Sequence, residues 1–372
     1  MTYAYPVWCT VNSTELEKLE RIQRLSLLNV TGCMSTTSLA AMEILAHTPP
    51  LRLVLRESAA LEFLRLLRKP DDYPIKTITA MLADNPTTNP IAVPADIMRQ
   101  SVKDTAKRVD LNAVDKEPAY DPLKVGIRSI SKKLIAWGDL GSAGTRTAIQ
   151  QITANRIATD HIATLQNYMI AYTDGSALNN PGPCGAAAAI FINSHDQTPV
   201  SLKRPVSKLS TSFHAELVAI ELALDYVVSY STTNEVNKVA VLTDCQSALQ
   251  TVTSTSNQSS HPRTISRIVQ CIQILDKRNI DVEITWIAGH SGLNGNNIAD
   301  SLAKEAAVEA SEMEPELLNI TEPSIVKSEI RKDMFTAWQR QWDISPIARS
   351  LHEALPIVPR KNSNHRLQDP LI

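Results

Sequence analysis

The pattern of apolar and polar positions divides the 372 residues into four stretches of different texture. In residues 1–70 the apolar positions recur at helical spacing: Leu16, Leu19, Ile22 and Leu25 follow a Thr14-x-x-Glu17 capping-box pattern and stop before Gly32. A second run, Pro50 to Leu67, sets Leu51, Leu55, Leu61, Leu64 and Leu67 among arginines. Together they predict a small helical unit with one apolar face. Residues 71–166 change to scattered prolines, at 74, 86, 90, 94, 118 and 122, with weak periodicity. That texture predicts a linker-like connection, with a helix somewhere in Gly144 to Leu165.

Residues 167–310 alternate short apolar runs with amphipathic ones. Met169–Thr173, Cys184–Ile192 and Val200–Val206 predict strands, the first two separated by the turn cluster Asn179-Asn180-Pro181-Gly182-Pro183. Leu217, Ile220, Leu224 and Val227 keep a 3.6-residue rhythm, so Thr211–Val228 predicts a helix. Val239–Leu242 predicts a buried strand, followed by a short helix through Leu249 and a longer one over Arg263–Leu275. Val282, Ile284 and Trp286 alternate with Glu283 and Thr285, a half-buried strand, and a last helix is predicted from about Asn296 to Ala310. Strands followed by crossover helices imply an α/β domain, a mixed sheet covered by helices. Residues 311–372 form a tail, acidic at first, with one helix predicted around Phe335, Trp338 and Trp342.

Composition narrows the class without naming a function. The chain is 43% hydrophobic and 20% charged, an ordinary globular balance. Its net charge of −2 offers no hint of an anionic partner. Five cysteines, Cys9, Cys33, Cys184, Cys245 and Cys271, form no CxxC pair or zinc spacing and read as reduced thiols. No signal-peptide pattern and no run near 18 apolar residues occurs, so a soluble, intracellular protein without a membrane segment is expected.

The chemistry sits in the acids of the third stretch. Asp174 ends one predicted strand and Asp244 another; adjacent parallel strands would open both into one crevice. Glu216 falls in the first turn of a predicted helix whose Ala219 and Ala223 would let it lie close to the sheet, and Asp300 falls early in the last helix. Each acid alone has an ordinary structural reading, as a turn residue, a helix-end acid, an N-cap or a solvated side chain. Four clustered carboxylates could not all stay ionised without compensation, which hard divalent cations supply. Two Mg²⁺ ions about 4 Å apart, with Mn²⁺ as an alternative, suit phosphodiester hydrolysis.

The ordered motifs Tyr-Thr-Asp-Gly-Ser at 172–176 with Asn-Pro-Gly-Pro at 180–183, Phe-His-Ala-Glu-Leu at 213–217, Thr-Asp-Cys-Gln-Ser-Ala at 243–248, Gly-His-Ser-Gly at 289–292 and Ala-Asp at 299–300 resemble type 1 ribonuclease H. The resemblance implies a five-stranded mixed sheet flanked by helices, an endonuclease acting on the RNA strand of RNA/DNA hybrids, and metal ligands at Asp174, Glu216, Asp244 and Asp300. It also implies a mobile-loop histidine at His290 and hybrid-groove contacts from Gly175, Ser176, Asn180 and Gln246. His195, His214 and His261 read as structural. Two departures stand out: Asn297 occupies a position where the family pattern has glutamate, and the Thr253–Pro262 loop lacks a basic insertion.

The flanks resemble non-LTR retrotransposon polyproteins. Pro6-Val7-Trp8, Leu19 to Gly32 and Thr48-Pro49-Pro50 are similar to the segment behind a reverse-transcriptase palm, and Trp338-x-x-x-Trp342 to the tail after the nuclease. The chain would then be the C-terminal part of such a polyprotein, partnered by a reverse-transcriptase domain. Polymerase activity is not expected, because the sole Asp-Asp pair, Asp71-Asp72, follows Pro70. The competing reading is a catalytically idle, nucleic-acid-binding remnant. Charge is uneven: residues 167–310 hold 9 Lys and Arg against 13 Asp and Glu, so two divalent ions would bring that stretch formally to zero.

Overall fold

A two-residue backbone pairing in the stretch expected to be a linker completes the sheet. In the computed structural model, residues 13–71, 73, 100–111, 113–116, 131–132, 147–193, 196–253, 261–289, 292–314 and 321–359 are described. They form two compact units, one of residues 113–325 and one of 1–112 with 326–372.

The sheet of the first unit comprises β1 (Ser131–Lys132), β2 (Met169–Ala177), β3 (Gly182–Phe191), β4 (Val200–Ser210), β5 (Lys238–Thr243) and β6 (Asp281–Trp286). Their spatial order is β1-β6-β5-β2-β3-β4. β2 pairs antiparallel with β3 and parallel with β5, and β5 parallel with β6, so the sheet is mixed. The five predicted strands are present, and β1 adds a sixth, parallel to β6. Two polar residues leave no hydrophobic pattern to read. β4 also runs four residues past the predicted Val206.

Alternation along the central strands sends side chains to two faces. Met169, Ala171, Val239 and Val241 face α5 (Ser212–Tyr230) and α7 (Pro262–Lys277). Leu217, Ile220 and Leu224 of α5 are fully buried there, each contributing roughly 1.5–3 kcal/mol. Ile170, Tyr172, Ala240 and Leu242 face α4 (Ala148–Ala163) and Ala299 of α8 (Asn294–Glu312). A capping box of Thr147 and Gln150 starts α4. Close approach of α8 relies on small residues: a Cβ on Gly185 would lie 2.4 Å from Ala306, and Ala303, Ala306, Ala307 and Ala310 are fully buried. The short α6 (Gln246–Thr253) follows β5.

The other unit contains α1 (Ser13–Thr31), α2 (Leu39–Leu45), α3 (Leu51–Leu67), most of α9 (Pro323–Ile344) and α10 (Arg349–Ala354). Gln23 of α1 accepts from the first amide of α3, Leu51 N, at 3.3 Å and donates to the Pro49 carbonyl at 3.2 Å. Trp338 and Trp342 are buried with Ile44, Leu53 and Met334, and the Trp342 indole donates to the Leu355 carbonyl at 2.9 Å. Among the described residues no helix is long and apolar enough to cross a membrane.

Candidate metal centre

Three carboxylates meet at one end of the parallel pair β2–β5. Thr173 lies opposite Thr243 in register, and Asp174 and Asp244 are the residues immediately after them. Glu216 enters from α5, one residue beyond its first turn and so slightly later than predicted. Oxygens of Asp174, Glu216 and Asp244 all lie within 4.8 Å of one another.

Glycine at 175 makes this meeting possible. A Cβ there would stand 2.2 Å from the Glu216 backbone nitrogen and 2.8 Å from its Cα, so α5 rests directly on the strand. Asp244 is held through its backbone: the Trp286 indole donates to its carbonyl oxygen at 2.8 Å, and Ile287 N donates to the Thr243 carbonyl at 2.9 Å. A Cβ on Gly289 would lie 2.8 Å from Asp244 Oδ2, so this glycine borders the Asp244 carboxylate.

The electrostatics are those of crowded, buried acids. Burial, then the charges of Asp244 and Asp300, push the Asp174 carboxyl up to about 7, opposed by the Gly175 backbone and Lys304. Burial, then Asp174 and Asp244, push Glu216 well above its ordinary value. Glu216 Oε2 is buried without a hydrogen-bond partner among the described residues. A donor set of carboxylate oxygens, one of them buried with nothing to bond, fits a hard divalent cation.

Asp300 stands apart from this trio. It lies on α8, half-exposed, with Oδ2 2.7 Å from Lys304 Nζ, although its charge acts on Asp174. His290 lies outside the described residues, as does His195; of the residues flanking His290, Gly292 has φ +74°. Gly175 and Ser176 are half-buried at the end of β2, and Gln246 is exposed at the start of α6. Asn180 is exposed and exchanges two hydrogen bonds with Ser212, accepting from its N–H at 3.2 Å and donating to its hydroxyl at 3.0 Å. His214 and His261 stack with centroids 4.4 Å apart, and burial, then the His261 charge, drive His214 down to about 3.

Several residues that shape the site escaped the sequence reading. Trp286 and Gly289 act on Asp244 through a backbone carbonyl and an absent Cβ, which no pattern announces. Lys304 stands at i+4 from Asp300, a spacing that carries a signal. Glu322, in the stretch read as a tail, is 4% exposed and bonded to the start of α5.

Comparison with known proteins bears on the stretch that carries these acids. The family model described as RNase H matches residues 166–308. A ribonuclease H of Aeromonas hydrophila subsp. hydrophila is 33% identical over 144 residues, which cover 37% of this chain and 87% of the relative. The chain belongs to the ribonuclease H family. A ribonuclease H of Tolumonas auensis is 30% identical over 150 residues, 38% of this chain and 91% of that protein. A crystal structure of LC11-RNase H1 in complex with RNA/DNA hybrid is 22% identical, with a TM-score of 0.32, covering 38% of this chain and 98% of that one. The ribonuclease H domain thus occupies the sheet-bearing unit, and the acid trio lies within it.

Proposed function

We propose that the ribonuclease H domain hydrolyses the RNA strand of RNA/DNA hybrids in a metal-dependent reaction. The observation that carries this reading is the trio Asp174, Glu216 and Asp244, with oxygens within 4.8 Å and the buried Oε2 of Glu216 without a hydrogen-bond partner among the described residues. These three would hold the metal, two Mg²⁺ ions in the full reading with Mn²⁺ as an alternative, and Asp300 would complete the shell. When bound, such ions polarise a phosphate oxygen and lower the pKa of a coordinated water. Asp174 and Glu216 must give up any proton before ligating, which their raised pKa values make the pH-sensitive step.

The chain's other residues serve orientation. Gly175 sets the distance between Asp174 and Glu216, and the indole of Trp286 fixes the backbone of Asp244. Gly175, Ser176, Asn180 and Gln246 would face the hybrid, where 2′-hydroxyl groups separate RNA from DNA. His290 would assist proton transfer or product release. The resemblance of the flanks extends the reading to a domain that acts beside a reverse-transcriptase domain of a non-LTR retroelement.

The test is a panel of labelled substrates with the full chain: RNA/DNA hybrid, single-stranded RNA and duplex DNA, each with Mg²⁺, Mn²⁺ or EDTA. Cleavage confined to the RNA strand of the hybrid, and abolished by EDTA, is expected. Retardation of the hybrid without cleavage in either metal would instead support an idle binding module.

A further inference from the structure

Beyond the stretch matched by the family model, two short segments pair with each other. Asp115 N donates to the Thr321 carbonyl at 3.0 Å and Thr321 N to the Ala113 carbonyl at 2.8 Å, a parallel bridge of Val114 with Thr321. The next residue, Glu322, is thereby delivered to the N-terminus of α5. Its Oε2 accepts from Thr211 N at 3.0 Å, Thr211 Oγ1 at 2.8 Å and Ser210 Oγ at 3.1 Å. Its Oε1 accepts from the Ser324 hydroxyl and lies 3.5 Å from His261 Nε2.

Thr211 is the N-cap of α5, the helix that carries Glu216. An ionised carboxylate at this point suits the positive end of the helix, and it occupies donors that the cap would otherwise leave to water. Burial alone would raise the Glu322 carboxyl, but the nearby His261 ring and the hydrogen bonds from Ser324 and Thr211 bring it to about 2, so the group is charged at neutral pH. The helix has little freedom to drift without consequence, because the Glu216 backbone already occupies the space a Gly175 side chain would take. A displacement of α5 therefore moves Glu216 against Asp174.

We propose that Glu322, supplied from outside the ribonuclease H domain, is a positioning residue of the metal centre that sets the seat of α5 and hence the reach of Glu216. The proposal rests on the metal-nuclease reading above. It makes the domain as delimited by its family incomplete in this chain, since residues 113–115 and 321–322 form a clasp that the centre depends on.

The experiment compares the full chain with its Glu322→Ala variant, measuring Mn²⁺ affinity by calorimetry and the Mg²⁺ concentration for half-maximal hybrid cleavage. The variant is expected to need about tenfold more of either metal, the effect typical of losing an outer-shell partner, with most of the turnover recovered at saturating metal. Glu322→Gln, which keeps an acceptor oxygen toward Thr211, is expected to recover most of the affinity. If Glu322→Ala does not fold, Thr211→Val takes its place with the same expectation. Unchanged metal affinity in whichever of these two variants folds overturns the proposal, even where its Tm falls. A wild-type chain that binds no metal and leaves the hybrid intact overturns the functional reading itself, whereas an active wild type with an unaffected variant overturns this inference alone.

Discussion

Thr173 and Thr243 sit opposite each other across the parallel strands β2 and β5, and the residue after each is an aspartate of the metal centre. Register alone therefore delivers Asp174 and Asp244 to one point. Glu216 must be brought by a helix, and the cost of that arrangement appears as three carboxylates within 4.8 Å.

This crowding predicts a pH dependence of stability in the metal-free protein. Asp174 is raised from 3.8 to about 7 and Glu216 is raised well above 4.5, so the native state holds protons that the unfolded chain has released. Their contribution is present at low pH and is lost as pH rises through the folded values; for Asp174 the window is about pH 4 to 7. Glu43, raised to about 8 chiefly by burial, acts in the same direction from the other unit. His214, driven down to about 3, acts in the opposite direction up to its ordinary value near 6.5, so thermal melts in EDTA should show Tm falling between pH 7 and 8, above that range. Asp174→Asn should flatten part of that slope and, at pH 8, gain on the order of 1 kcal/mol. A metal-free Tm that rises with pH over this range contradicts the account.

Gly175→Ala is expected to damage both fold and activity. The new methyl would meet the Glu216 backbone rather than a movable side chain. Overpacking of this kind costs roughly 1–3 kcal/mol, and the accompanying displacement of Glu216 should cost about a hundredfold in turnover. Calorimetric unfolding and hybrid-cleavage kinetics on one preparation check it; a variant matching wild type in both would show that the contact is relieved cheaply.

Asp300→Asn should be milder than a change in the trio. Its carboxylate is half-exposed and paired with Lys304 at 2.7 Å. We expect a loss of roughly tenfold in activity, because the trio would still hold the metal when the group that completes the shell is lost. A loss as complete as that of Asp174→Asn would place Asp300 among the indispensable ligands.

Trp286→Phe removes the indole donor to the Asp244 carbonyl while keeping an aromatic ring. The lost hydrogen bond is worth about 1 kcal/mol. Weaker Mn²⁺ binding by calorimetry should accompany the lower stability, because the bond fixes the backbone from which Asp244 projects. Full metal affinity would reduce Trp286 to a packing residue.

The trio was legible because Asp174 and Asp244 close short apolar runs and Glu216 rides a helix with a clear 3.6-residue rhythm. The mixed sheet followed from the same alternation. β1 was not legible, since Ser131 and Lys132 pair through backbone groups that every residue shares. Glu322 was hidden for a different reason: its acceptors and donors are brought together over 111 residues of sequence, and an acid in an acidic stretch reads as solvated. Asn180 shows the limit in another direction, because a turn residue and a helix-end partner of Ser212 look alike in sequence.

The most direct test is cleavage of the labelled RNA strand of an RNA/DNA hybrid by the full chain in Mg²⁺, with wild type and Asp174→Asn side by side and their circular dichroism compared. The account predicts cleavage by wild type, none by the variant, and matching spectra. Cleavage by a folded Asp174→Asn protein at the wild-type rate would contradict it.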